Sequence, residues 1–98
     1  MKLPLDLVLV NTDDTPAKDE KGQEVTLRAA LIRAVLSEFD GDMQPLKGDA
    51  KLVRYSLYKD LKKGTSDTDF DPEDVVELRK AVMIYPPLTC GQIRDLLA

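Results

Sequence analysis

Leu3-Pro4-Leu5-Asp6-Leu7-Val8-Leu9-Val10 decides the fold class of this chain. Leucine recurs at 3, 5, 7 and 9 with a period of two, while Val8 and Val10 fall on the opposite side. That alternation is the pattern of a strand with one buried face, and it predicts a strand over Leu5 to Val10. Turn chemistry follows in Asn11-Thr12-Asp13-Asp14-Thr15-Pro16 and again in Asp19-Glu20-Lys21-Gly22. Asn and Asp side chains bond their own backbone there, and proline and glycine supply the unusual dihedrals. Gln23-Glu24-Val25 then returns as a short antiparallel partner. A two-stranded ribbon is marginal alone in water, so the remaining chain must cover its leucine face with helices.

Four helical segments are expected. Thr26 is the N-cap of a helix from Leu27 to about Phe39, with Leu27, Ala30, Leu31, Ala34 and Val35 on one stripe, widened by Ile32 and Leu36. Asp40-Gly41-Asp42 ends it and Pro45 separates it from the next. Asp49 caps a second helix from Ala50 to about Lys63, its inner face Leu52, Val53, Ser56, Leu57 and Leu61 and its C′ residue Gly64. Gly64 to Phe70 is the only candidate linker. Asp71, Pro72, Glu73 and Asp74 place an acidic cap, a proline at N1 and further acids at the positive end of a third helix. That helix buries Val75, Leu78 and Val82, with Val76 and Met83 flanking, and stops near Tyr85 because Pro86 and Pro87 cannot continue it. Thr89-Cys90-Gly91-Gln92 has capping-box spacing and opens a short last helix carrying Ile93, Leu96 and Leu97. The expected fold is α+β, a short N-terminal two-stranded antiparallel ribbon packed against three to four α-helices in a single domain over residues 1–98. Leu31, Val35, Leu57, Leu78 and Val82 should be buried together.

The composition narrows the function classes. The chain has no histidine and one cysteine among 98 residues, so the usual neutral-pH proton carrier and the usual activator of a nucleophile are both missing. Enzymatic activity is not expected. A hydrophobic share of 43% with 33% charged residues is ordinary for a folded protein. No apolar run approaches the ~18 residues of a membrane span, and the first residues lack a secretory apolar core and cleavage site. The expected address is the cytoplasm. The net charge of −4 is uneven: Lys47 to Lys63 carries six basic and two acidic residues, a local +4 that leaves −8 elsewhere. An acidic balance of this kind disfavours non-specific binding to nucleic acid or anionic membranes.

Asp67, Asp69 and Asp71 stand at positions 1, 3 and 5 of a calcium loop, but Pro72 occupies the place of the required glycine and Leu78 that of the bidentate glutamate. Asp40 and Asp42 fail similarly, with Lys51 at the twelfth place. No metal or cofactor site is assigned. Cys90 near a helix start could be thiolate-prone, yet without a histidine base it reads as a small buried hydrophobe. The best candidate surface lies on the second helix, where Lys51, Arg54, Tyr55, Tyr58, Lys59 and Lys62 form an outer, partner-binding face of basic groups interleaved with two aromatic rings. A solvated helix face with lysines complementing the C-terminal dipole explains the same residues without a partner. If the face binds, an acidic protein fits the charge better than nucleic acid, and tyrosine and arginine are common interface anchors.

The order of these pieces carries a resemblance. Lys21-Gly22-Gln23-Glu24-Val25-Thr26-Leu27, the Ala- and Leu-rich helix, Lys51-Leu52-Val53-Arg54-Tyr55, the acid-capped helix and Pro87-Leu88-Thr89-Cys90-Gly91-Gln92-Ile93 with Leu96-Leu97 resemble small accessory proteins of tailed bacteriophages and prophages. The resemblance implies a compact protein without catalytic residues. Its role there would be morphogenesis, as with tail-assembly chaperones, or binding a host protein. The expected function is a non-enzymatic protein–protein interaction module. Its partner is a phage structural component, a host factor or a second copy of itself. The alternative is a nucleic-acid-binding regulator that uses the basic face.

Overall fold

The computed structural model describes residues 1–40 and 42–98. Helix α1 runs over Leu27–Val35, α2 over Gly48–Lys63, α3 over Pro72–Ala81 and α4 over Pro87–Leu96, with a 3-10 turn Val82–Ile84 between the last two. Among the described residues there is no β-strand, so the expected α+β fold with an N-terminal ribbon is overturned. The described residues form four α-helices around one core, with an irregular N-terminal segment packed on them.

The leucine run fails as a strand because it turns on itself. The Leu5 N–H donates to the Leu3 carbonyl at 2.8 Å and the Leu7 N–H to the Pro4 carbonyl at 3.0 Å. These bonds break the alternation, burying Leu3, Leu5 and Leu9 but leaving Leu7 46% exposed. Beyond them the backbone meets its partners one residue at a time. The Leu9 N–H donates to Val25 at 2.9 Å, the Val25 N–H to Ala17 at 2.9 Å, and the Ala17 N–H to Leu9 at 2.8 Å, closing a three-membered ring. Isolated bridges flank it at Val8 with Thr26, Val10 with Pro16 and Lys18 with Glu24. Pro16 has no N–H with which to extend the pairing, so no ladder grows from this junction. The turns between its arms follow the expected chemistry. Asp19 Oδ1 accepts from the N–H groups of Lys21 and Gln23, and Gly22 takes the left-handed conformation at φ 78°.

Helix α1 has the expected cap and stripe: Thr26 Oγ1 accepts from the Ala29 N–H at 3.2 Å, and Leu27, Ala30, Leu31, Ala34 and Val35 are buried. It ends at Val35 rather than near Phe39. The Ser37 N–H tightens onto Ala34, and Ser37 Oγ accepts from the Phe39 N–H at 3.2 Å, a local bond that competes with helix continuation. Of the Asp40-Gly41-Asp42 stop signal, Gly41 lies outside the described residues.

Helix α2 begins at Gly48, with Lys47 rather than Asp49 as its cap residue. Its phase also differs from expectation. It buries Arg54, Leu57 and Leu61, whereas Leu52 is 70% and Val53 46% exposed. Leu57 and Leu61 fit either stripe, and a partner on α3 (Glu77) selects the one that includes Arg54. Gly64 does not take the left-handed C′ conformation, with φ −68° and ψ 159°. Glycine is needed there for space, since a Cβ would sit 2.8 Å from the Asp60 carbonyl oxygen. The carbonyls at this helix end are served instead by Arg28, whose Nη1 donates to Leu61 and Gly64 at 2.7 Å each. The supposed linker is therefore tied down, and Phe70 within it is a core residue.

Helix α3 starts at Pro72 as expected, but the Asp71 side chain makes no capping bond. Burial, reinforced by the charges of Asp71 and Asp60, raises the Asp74 carboxyl above its ordinary value. Helix α4 begins at Pro87, which places Thr89 and Gln92 inside it and overturns the capping-box reading. Gln92 reaches across the molecule instead. Its Oε1 accepts from the Val10 N–H at 2.9 Å and its Nε2 donates to the Val10 carbonyl at 2.8 Å. Arg79 Nε donates to the Leu97 carbonyl at 3.1 Å and closes the end of α4. The Tyr85 hydroxyl donates to the Ala30 carbonyl, and burial pushes its pKa up to about 12. Leu31, Val35, Leu57, Leu78 and Val82 lie in the single core cluster, as expected.

Gln92 and Thr89 separate the two accounts of α4. Gln92→Ala leaves both backbone groups of Val10 without their partner and should cost roughly 1–3 kcal/mol in urea unfolding. Thr89→Ala should cost less than about 0.5 kcal/mol, as at an ordinary surface-facing helix position. The reverse order would restore Thr89 as a cap.

Candidate functional site

The outer face of α2 is an interleaved ladder. Tyr55, Tyr58, Lys59 and Lys62 follow at helical spacings of three and four, which brings each ammonium beside the ring one turn earlier. Lys59 Nζ stands 5.1 Å from the Tyr55 ring centroid and Lys62 Nζ 5.7 Å from that of Tyr58. The two rings are 6.1 Å apart and tilted by 32°. Cation–π contacts of this kind hold flexible lysines near one arrangement, so the face presents positive charge and aromatic surface together. Tyr55 and both lysines are exposed, whereas Tyr58 is half-buried against the core.

Arg54 is the correction to the expected face. It points inward and is only 4% exposed. Its Nε reaches Glu77 Oε2 at 3.5 Å, and Glu77 gives its other oxygen to Lys80, also at 3.5 Å. Nη1 of Arg54 is buried with no hydrogen-bond partner among the described residues. Lys51 is exposed on the same side of the helix, and together with Arg54 and Tyr55 it forms one wall of a depression of about 470 Å³.

The opposite wall is the connection between α1 and α2, lined by Leu36, Phe39, Pro45 and Leu46. This connection is shaped by its own hydrogen bonds. The Leu46 N–H donates to Glu38 at 3.0 Å and the Asp40 N–H to Gln44 at 2.8 Å, around a bridge between Phe39 and Pro45. Asp40 Oδ1 accepts from the N–H groups of Asp42 and Gln44 at 2.9 Å each. Leu36 and Phe39 remain 51% and 38% exposed, so the depression has an apolar rim. The six expected residues thus divide. Lys51, Tyr55, Lys59 and Lys62 share an accessible surface, Tyr58 supports it from below, and Arg54 is turned inward along the wall of the adjoining depression. Sequence reasoning missed the opposite wall. Leu36, expected to widen the buried stripe of α1, is instead exposed on its rim together with Phe39, because α1 ends at Val35.

The other expected sites lead elsewhere. Cys90 is half-buried, not enclosed, and its Sγ lies 3.7 Å from Met83 Sδ. Among the described residues no cluster of three or more carboxylate, cysteine or histidine groups could hold a metal ion. No described helix is long and apolar enough to cross a membrane. No protein-family model matches the chain, no curated protein is similar to it, and no solved structure matches its fold.

The Arg54 to Glu77 contact is testable by a double-mutant cycle. Glu77→Leu should destabilise the protein by roughly 1–3 kcal/mol, because it strands a buried guanidinium. In an Arg54→Met background the same change should cost under about 0.5 kcal/mol, as for a site without that partner. Additive costs in urea unfolding would mean the two side chains do not interact.

Proposed function

We propose that this chain is a non-enzymatic protein–protein interaction module that receives an acidic partner on the outer face of α2. The observation that carries this reading is the ladder of Tyr55, Tyr58, Lys59 and Lys62, continuous with the apolar depression through Tyr55. Leu52, 70% exposed and next to Lys59 around the helix, adds apolar area to the same face. Aromatic and cationic residues around an apolar centre are the usual composition of interface anchors. In the setting implied by the resemblance, the module acts in the bacterial cytoplasm on a phage structural component or a host protein. A nucleic-acid regulator is the second reading. The net charge of −4 opposes it, since phosphate attraction requires a basic surplus.

A triple variant, Tyr55→Ala with Lys59→Ala and Lys62→Ala, tests the reading. Arg54 and Tyr58 are left intact because both support the fold. Each change should alter stability by no more than about 0.5 kcal/mol, while capture of specific protein partners from a lysate of the native host is lost. Full-strength capture by the variant would exclude the ladder. Binding of duplex DNA or RNA at low ionic strength, falling steeply with added salt, would instead favour the regulator.

A further inference from the structure

We infer that the depression between α2 and the α1–α2 connection is a receptor for an acidic peptide segment. A carboxylate of that segment bonds the Arg54 guanidinium, and a neighbouring leucine or phenylalanine side chain seats against Leu36, Phe39, Pro45 and Leu46. This rests on the protein-binding reading and specifies the chemistry of the partner. Arg54 has five N–H donors in a planar fork suited to a carboxylate. Among the described residues it makes one polar side-chain contact, at 3.5 Å, to a carboxylate it shares with Lys80. Nη1 is buried with no partner among the described residues, an arrangement that is costly for a guanidinium unless a ligand completes it.

Charge at the rim fits an anionic occupant. Among the residues lining the depression Lys51 and Arg54 outnumber Glu38, while Glu77, the carboxylate beside Arg54, is also paired by Lys80. A second, smaller depression bounded by Asp40, Asp42, Lys80 and Met83 also borders Arg54. Asp40 accepts from backbone N–H groups there, and its charge and that of Asp42 lie on this second side of Arg54, away from the lining of the larger depression. A volume of about 470 Å³ suits one large apolar side chain beside a carboxylate, within the usual range of ligand sites. Tyr55 belongs to both the depression and the ladder, so an extended peptide seated on Arg54 continues onto the positive face of Lys59 and Lys62.

The test is a titration of the ¹⁵N-labelled full chain, followed by NMR at the Arg54 Nε–H and at the backbone amides of Phe39 and Leu46. The probes are the capped peptide acetyl-Glu-Leu-Asp-Phe-Glu-amide and its neutral counterpart acetyl-Gln-Leu-Asn-Phe-Gln-amide. The acidic peptide should shift all three signals saturably and bind at least about tenfold tighter than the neutral one, the difference expected of a charge-assisted hydrogen bond. Arg54→Met should abolish that preference. Arg54→Lys keeps the charge without the fork and should retain only part of it, and this variant serves if Arg54→Met does not fold. Equal binding of the two peptides, or an unmoved Arg54 signal, overturns the inference. If the acidic peptide moves only Tyr55, Lys59 and Lys62, the Arg54 receptor is wrong while the interaction face stands, and failure of the face itself is read separately in the lysate comparison.

Discussion

Helix α1 is the constraint on which the molecule depends. It is nine residues long and buries five of them, Leu27, Ala30, Leu31, Ala34 and Val35, against neighbours on several sides. At ~1.5–3 kcal/mol for each fully buried large aliphatic side chain, Leu27, Leu31 and Val35 alone supply a substantial part of the driving force. Ala30 and Ala34 keep the helix surface low where neighbours approach. The same short helix also serves the polar needs of its surroundings. Arg28 closes the end of α2, the Ala30 carbonyl receives the Tyr85 hydroxyl ahead of α4, and its cap residue Thr26 bridges to Val8.

The N-terminal segment shows how an irregular chain meets the requirement that buried backbone groups be paired. Leu9, Ala17 and Val25 satisfy one another in a ring, and Gln92 serves both groups of Val10. Helix ends are handled likewise, by Arg28 for α2 and Arg79 for α4, each from a distant part of the chain. A backbone ring with Gln92 thus stands in for the sheet ladder, and long side chains close the C-terminal ends of α2 and α4.

What was legible in the residues was what local physics determines. The Thr26 cap, the Leu27, Ala30, Leu31, Ala34 and Val35 stripe of α1 and the Pro72 start of α3 depend on neighbours within a turn or two, whereas α3, expected to run to about Tyr85, ends at Ala81 and gives way to the 3-10 turn Val82–Ile84. The strand was misread because period-two alternation states which side chains are apolar and says nothing about a backbone partner. The Pro4 and Leu3 carbonyls were used locally instead. The phase of α2 was misread because Leu57 and Leu61 fit two stripes, and the deciding group, Glu77, lies on another helix. Gln92 matched a capping motif whose meaning depends on where α4 begins, and Pro87 begins it early. At the candidate site, Tyr55, Tyr58, Lys59 and Lys62 could be grouped from spacing alone. Arg54 could not, because burying an arginine requires a carboxylate that only the fold brings near.

Native-state hydrogen exchange tests most directly whether the N-terminal ring and α1 form one cooperative unit. The amides of Leu9, Ala17 and Val25 should exchange as slowly as those of Leu31 and Ala34 within α1, all limited by global unfolding, while Val8, Lys18 and Glu24 exchange fast. Ring amides that exchange at the rate of open loops, beside a protected α1, would contradict this account.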